Sequence, residues 1–211
     1  MKNICFITST RADYGLIEPV IRKVKKNINL NLQLIVMGTH TSSLYGKTIN
    51  DIISDGYQPN FIFETAPDDD SKKSISKAIA DTTCVISDAL LSLKPDLIVI
   101  PGDRYEMLGA STSALIIGVP ILHLYGGDLT IGSFDDSIRH SITKMASLHC
   151  CTNELSRKRI IQMGEDPKRV FNTGSPALDQ LSYFKIKPKK EIEKELNLKF
   201  LDTNFLVTFH P

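Results

Sequence analysis

Two phosphate-binding signatures are missing from this sequence. The loop after the first apolar run has no G-x-G-x-x-G turn, and no G-x-x-x-x-G-K-[ST] stretch occurs, so dinucleotide binding in its usual mode and P-loop nucleotide hydrolysis both lack the backbone they need. Charge of one sign is also missing. The 25 Lys plus Arg stand against 24 Asp plus Glu, a formal charge of +1, which offers nucleic acid no electrostatic footprint. No apolar run approaches the ~20 residues that span a bilayer. The start Met1-Lys2-Asn3-Ile4-Cys5 enters a strand without a signal-peptide pattern, so a cytoplasmic protein with no membrane partner is expected. Cysteine is scarce, and the four present, Cys5, Cys84, Cys150 and Cys151, are expected to be buried thiols that pack as small hydrophobes. Spacings around His123, His149 and the Cys150-Cys151 pair match no zinc pattern, so no metal is expected.

What the chain does contain is a regular alternation. Its 211 residues, 42% hydrophobic and 23% charged, suffice for a domain that buries roughly 70% of its unfolded surface. Apolar β-rich runs at Lys2 to Thr8, Leu32 to Met37, Asn60 to Glu64, Leu97 to Ile100, Val119 to Leu122, Leu148 to Thr152 and Val170 to Thr173 read as strands. Helical spacing follows the first of them (Leu16, Ile17, Val20, Ile21, Val24). It recurs at Ser43 to Ser54, Ser71 to Leu93, from near Tyr105, at Asp135 to Ser147 and at Glu154 to Met163. Such alternation predicts an α/β doubly wound parallel sheet, Rossmann-like, with right-handed crossovers. From Phe184 a basic, Pro-containing stretch reads as a linker. The division predicted is residues 1–183 as the main domain, 184–203 as linker and short helix, and 204–211 as the first strand of a second domain.

The chemistry-bearing residues gather between Pro101 and His140. Two of the apolar runs lead into Pro101-Gly102-Asp103-Arg104-Tyr105-Glu106 and His123-Leu124-Tyr125-Gly126-Gly127-Asp128, and Phe134-Asp135-Asp136-Ser137-Ile138-Arg139-His140 follows. Ligands of open α/β sheets bind beyond the carboxyl ends of the strands, where Asp103 and Asp128 are delivered. Asp103 fits a ligand-facing carboxylate or, equally, an N-cap for the next helix. Glu106 falls in that helix's first turn, where an acid complements the dipole. Gly126-Gly127 permits a tight turn or close approach to a ligand. Asp135 and Arg139 are spaced for a surface ion pair, as are Asp136 and His140. In the first loop Thr8, Ser9, Thr10 and Arg11 could meet a phosphate or a sugar.

Taken together, Arg11-Ala12-Asp13-Tyr14-Gly15, Pro101-Gly102-Asp103-Arg104, Gly126-Gly127-Asp128, Asp135-Asp136-Ser137-Ile138-Arg139-His140 and His210-Pro211 resemble the UDP-N-acetylglucosamine 2-epimerases. More narrowly, they resemble the hydrolysing branch that feeds sialic and related nonulosonic acid synthesis. The resemblance implies a GT-B fold, of which this chain would supply the N-terminal domain and the first strand of the second. It further implies a UDP-sugar substrate, no cofactor, and a homodimer or homotetramer. The reaction implied is anti elimination of UDP across C1 and C2 to a glycal, then hydration to the free 2-epimer. Carried over residue by residue, Asp103 is a catalytic acid/base, Asp135 and Arg139 a functional acid and arginine, and His210 a cleft histidine near the diphosphate. Arg11, Glu106, Gly126, Gly127 and His140 join the substrate-binding set. Some relatives have Glu where this sequence has Tyr125, so Asp128 is expected to take over as a base. The substrate reads as UDP-N-acetylglucosamine or a UDP-2,4-diacetamido-trideoxyhexose. A GT-B glycosyltransferase and a non-catalytic sugar-nucleotide-binding module remain alternatives.

Overall fold

In the computed structural model, which describes residues 1–182 and 186–209, the strands form one seven-stranded sheet paired in parallel throughout. They are β1 (Lys2–Thr8), β2 (Leu30–Val36), β3 (Phe61–Ile62), β4 (Leu97–Pro101), β5 (Ile121–Leu124), β6 (Leu148–Cys151) and β7 (Val170–Asn172), in the order β3-β2-β1-β4-β5-β6-β7. The direction of winding reverses between β1 and β4, which creates a crevice at their carboxyl ends. The helices are α1 (Arg11–Lys26), α2 (Ile49–Ser54), α3 (Lys72–Leu93), α4 (Tyr105–Ile117), α5 (Phe134–Met145), α6 (Glu154–Gln162) and α7 (Lys189–Glu195).

The core lies on both faces of the sheet, which is why the strands read as nearly continuous apolar runs. Cys5, Ile7, Ile98 and Ile100 pack with Ile86 and Leu90 of α3, Met107 and Ala110 of α4 and Ile142 of α5. On the other face Phe6, Leu34, Val36 and Val99 pack with Tyr14, Ile17 and Ile21 of α1 and Ile52 of α2. Each fully buried side chain of this size contributes roughly 1.5–3 kcal/mol. Pro19 lies inside α1 and cannot donate to the carbonyl of Gly15. The side-chain amide of Gln180 donates to that carbonyl instead.

Several expectations are corrected. The helix expected over Ser43 to Ser54 is broken: a short 3₁₀ turn at Ser43–Tyr45 ends where Gly46 and Lys47 take positive φ, and α2 starts only at Ile49. The fifth strand begins two residues later than expected. Val119 caps α4 by donating to the carbonyl of Ala114, and Pro120 has no N–H to give a ladder. Cys84 is exposed on α3 and Cys150 is half-buried, so the four thiols do not share one environment. Residues 204–209, expected to open a second domain, pair with no strand of this sheet, and Phe205, Leu206, Val207 and Phe209 are exposed, so the division into domains stays an expectation. The boundary expected at 183/184 and His210 lie outside the described residues. No helix of the described residues is long and apolar enough to cross a membrane, and no group of three or more His, Cys, Asp or Glu among them could hold a metal ion.

Candidate active site

The loop after β1 is built around one buried carboxylate. Asp13, at the third position of α1, closes a reciprocal capping box with Thr10. It accepts from the backbone N–H groups of Ser9 (3.1 Å) and Thr10 (2.9 Å) and from the hydroxyls of Thr8, Ser9 (2.8 Å) and Thr10 (3.0 Å). Burial raises its pKa, while these donors act against the rise. Behind it, the Nε2 of His40 lies 2.9 Å from the Thr8 hydroxyl and its Nδ1 2.8 Å from that of Thr48. Thr8 spends its proton on Asp13, so His40 donates from Nε2 and accepts from Thr48 as a neutral imidazole. Burial lowers its pKa to about 4. The loop is therefore internally satisfied, and Arg11 projects from it into solvent.

The loop after β4 carries Asp103 on a left-handed Gly102 (φ +64°). Asp103 does not cap α4, whose N-cap is Arg104 without a side-chain hydrogen bond. Its carboxylate instead receives Arg139 from α5 in a salt bridge. Arg139 also donates to the Thr130 hydroxyl (2.8 Å) and, through Nη1, to the carbonyl of Asp128 (2.9 Å). The expected Asp135–Arg139 pair is thus replaced. The nearer acid along the helix is Asp136, at 3.6 Å, and the Asp135 carboxylate accepts from Ser133 (2.9 Å). A second histidine braces this arrangement. His123, fully buried in β5, donates from Nε2 to the Gly102 carbonyl at 2.7 Å, since a carbonyl can only accept, and its Nδ1 lies 3.1 Å from the hydroxyl of Thr143 on α5. Burial also lowers its pKa to about 4.

These elements enclose two adjoining cavities. One, of about 430 Å³, is lined by Thr10, Ala12, Asp13 and Leu16 from the first loop and helix, Pro101 to Tyr105 from the second, and Phe134 and Asp135 from the start of α5. It lies at the β1/β4 reversal and brings Asp103 and Asp135 onto one wall system. The other, of about 690 Å³, shares Thr10, Ala12, Arg104 and Tyr105 with it and adds residues that include Arg11, Tyr45, Thr48, Asp51 and Asp70. Both volumes fall in the range of small-molecule sites.

The remaining expected site residues are placed elsewhere. The Asp128 carboxylate accepts from Ser156 and Thr152 (3.3 Å) at the start of α6 and lines neither cavity. Glu106 is fully buried and holds the Arg104 guanidinium at 3.0 and 2.9 Å, so it faces a side chain and not a ligand. Gly126 and Gly127 serve close packing. A Cβ on Gly126 would meet the His123 ring at 2.9 Å, and one on Gly127 (φ +82°) would meet the Ser156 carbonyl at 2.4 Å. His140 is half-buried, with Nε2 3.6 Å from Asp136 and away from both cavities. Tyr125, at positive φ, reaches the Leu16 carbonyl and Ser175, both at 3.4 Å. Thr10, expected as a ligand-facing hydroxyl, lines both cavities, as do Arg104 and Tyr105, which were given no role from sequence.

A seven-stranded parallel, Rossmann-like sheet with its crevice at the topological reversal defines the class: the N-terminal half of a GT-B fold. The chain belongs to the UDP-N-acetylglucosamine 2-epimerase family, whose model matches residues 22–211. It is 40% identical over 210 residues to the Campylobacter jejuni GDP/UDP-N,N'-diacetylbacillosamine 2-epimerase (hydrolyzing), covering 100% of this chain and 54% of that protein. To the Legionella pneumophila UDP-N,N'-diacetylbacillosamine 2-epimerase (hydrolyzing) it is 31% identical, covering 100% of this chain and 56% of the other. The crystal structure of the Neisseria meningitidis UDP-GlcNAc 2-epimerase bound to UDP-GlcNAc superposes with a TM-score of 0.76 at 18% identity, over 92% of this chain and 50% of that one. The chain therefore spans about half the length of the curated relatives it matches.

Proposed function

We propose that the protein to which this chain belongs is a hydrolysing UDP-sugar 2-epimerase. It would convert a UDP-2-acetamido sugar and water into UDP and the free 2-epimer. The observation that carries this reading is the pair Asp103 and Asp135, delivered from two separate elements to one cavity with Arg139 seated on Asp103.

The chemistry assigns roles. In the elimination a base takes the C2 proton, the C–H electrons become the C1–C2 double bond, and the C1–O bond breaks with its electron pair leaving on the UDP phosphate. Asp135, whose carboxylate is engaged by a single neutral hydroxyl among the described residues, is the group suited to take that proton. Asp103, salt-bridged to Arg139, supplies negative charge beside C1 as positive charge develops there. Hydration then returns a proton to C2 on the opposite face and hydroxide to C1. On this reading most contacts to UDP come from the half of the relatives that this chain does not span, and His210 is proposed to act on the diphosphate. The same reading carries a cytoplasmic homodimer or homotetramer.

Between substrates, a 2,4-diacetamido-trideoxy sugar is favoured over N-acetylglucosamine by the names of the Campylobacter and Legionella relatives. The test is to incubate the full-length enzyme in D₂O with each UDP-sugar and identify the products by NMR. A free 2-epimer with deuterium at C2 is expected. An epimerised sugar still attached to UDP would refute the hydrolysing reading, and a product without deuterium would refute the elimination.

A further inference from the structure

We propose that the larger cavity is a subsite for an N-acyl group at C4 of the sugar, and that Arg104, positioned by Glu106, donates to its carbonyl oxygen. This rests on the epimerase reading of the smaller cavity. If C1 and C2 react beside Asp103 and Asp135, the far end of a pyranose ring is C4, directly opposite C1. The shared residues Thr10, Ala12, Arg104 and Tyr105 form the passage from one cavity to the other, so substituents at that end enter the larger one.

The character of the passage selects the ligand. Glu106 occupies one edge of the Arg104 guanidinium, taking Nε at 3.0 Å and Nη2 at 2.9 Å. Among the described residues Nη1 has no acceptor, so the outer edge remains to donate. With its charge neutralised by a fully buried carboxylate, Arg104 is a fixed hydrogen-bond donor more than a net cation. The wider lining sets Arg11 and Arg104 against Asp51 and Asp70, and Glu106 stands behind. Such a balance disfavours a phosphate and suits a neutral oxygen acceptor. The apolar surfaces of Ala12, Tyr45 and Tyr105 are available to the methyl of an acetyl group. A C4 hydroxyl would leave both the donor and this surface unfilled.

The experiment uses the full-length enzyme and two substrates that differ only at C4: UDP-2,4-diacetamido-2,4,6-trideoxyglucose and UDP-2-acetamido-2,6-dideoxyglucose. The readout is the ratio of their kcat/KM values, from UDP release. Wild type should prefer the diacetamido sugar, and Arg104→Met should cut that preference by roughly tenfold or more. Because Arg104→Met alone leaves Glu106 buried without a partner, the double variant Arg104→Met with Glu106→Gln is measured alongside, and the same loss of preference is expected. A wild-type enzyme indifferent to the C4 group, or variants that lose both activities in parallel, would overturn the subsite and leave the epimerase reading standing. Release of UDP from neither sugar, nor from UDP-N-acetylglucosamine, would overturn the epimerase reading and the subsite with it.

Discussion

Arg139 of α5 closes on the carboxylate of Asp103, 36 positions earlier in the chain and beyond a different strand. The pair joins the β4 loop to α5, and Arg139 also donates to the Asp128 carbonyl. Both partners are largely withdrawn from water, the arginine side chain at 8% exposure and the aspartate at 24%. Removing one member of such a pair leaves a charge without compensation.

For that reason Arg139→Met should lower stability by about 3 kcal/mol, the low end of the roughly 3–5 kcal/mol expected for a broken buried pair, since Asp103 keeps some access to water. Asp103→Asn keeps a hydrogen-bond acceptor for Arg139 and should cost less. In the full-length enzyme, however, loss of the negative charge beside C1 should reduce turnover by roughly 10²–10³-fold. Urea midpoints and UDP release on the two variants check both halves. Equal stability losses, or a near-normal rate for Asp103→Asn, would contradict the assignment.

The turn glycines separate a packing role from a purely conformational one. Gly102 and Gly127 both have positive φ, but a Cβ on Gly102 meets nothing within 4 Å, whereas one on Gly127 meets the Ser156 carbonyl at 2.4 Å. Gly102→Ala should therefore cost only the left-handed backbone penalty of roughly 1–2 kcal/mol. Gly127→Ala adds overpacking of roughly 1–3 kcal/mol and should displace α6. Thermal melts of the two variants would show the difference as clearly separated midpoints.

The sheet was legible because parallel strands covered on both faces become apolar runs, and most of them were followed by an α-helix. The site was legible only in part. Local spacing nominated Asp135 as the partner of Arg139, but a tertiary contact to Asp103 took precedence, and helical periodicity carries no trace of that contact. Asp128 follows a strand like Asp103 does, yet Ser156 and Thr152 draw its carboxylate toward α6. Arg104 was quoted within a motif and left without a role, because its partner Glu106 is two residues on, a spacing that pairs nothing within a regular helix. The break at Gly46 and Lys47 depends on backbone dihedrals that apolar patterning does not encode.

Thiol reactivity gives an inexpensive check of the burial pattern. Cys84 is exposed, while Cys5 is fully buried with its pKa pushed up to about 12, and burial also raises Cys150 and Cys151. The thiolate is the reacting species, so Cys84 should account for the fast phase with Ellman's reagent in the native chain. All four should react after denaturation. Cys84→Ser should remove the fast phase, and its persistence would mean that another cysteine is open to solvent.

Three histidines, His40, His123 and His149, are fully buried with pKa values lowered by burial, and the two pushed down to about 4 make stability depend on pH in a direction that can be worked out. His40 and His123 are fully buried with pKa values of about 4 against 6.5 for a free histidine, through burial above all. Below pH 6.5 the unfolded chain binds protons that the folded chain refuses, so stability falls as the pH drops from 6.5 to about 4, and the loss from these groups is complete below that. A shift of this size corresponds to roughly 3 kcal/mol for each histidine. Asp13 acts in the opposite sense: its raised pKa means that ionisation opposes folding, so acidification relieves part of its cost. Urea midpoints measured from pH 7.5 to pH 4.5 should decline steeply, and His123→Gln should flatten the decline by about one proton's worth of slope. An unchanged slope in that variant would show that His123 accepts its proton in the folded state, and that the brace between Gly102 and Thr143 does not depend on a neutral ring.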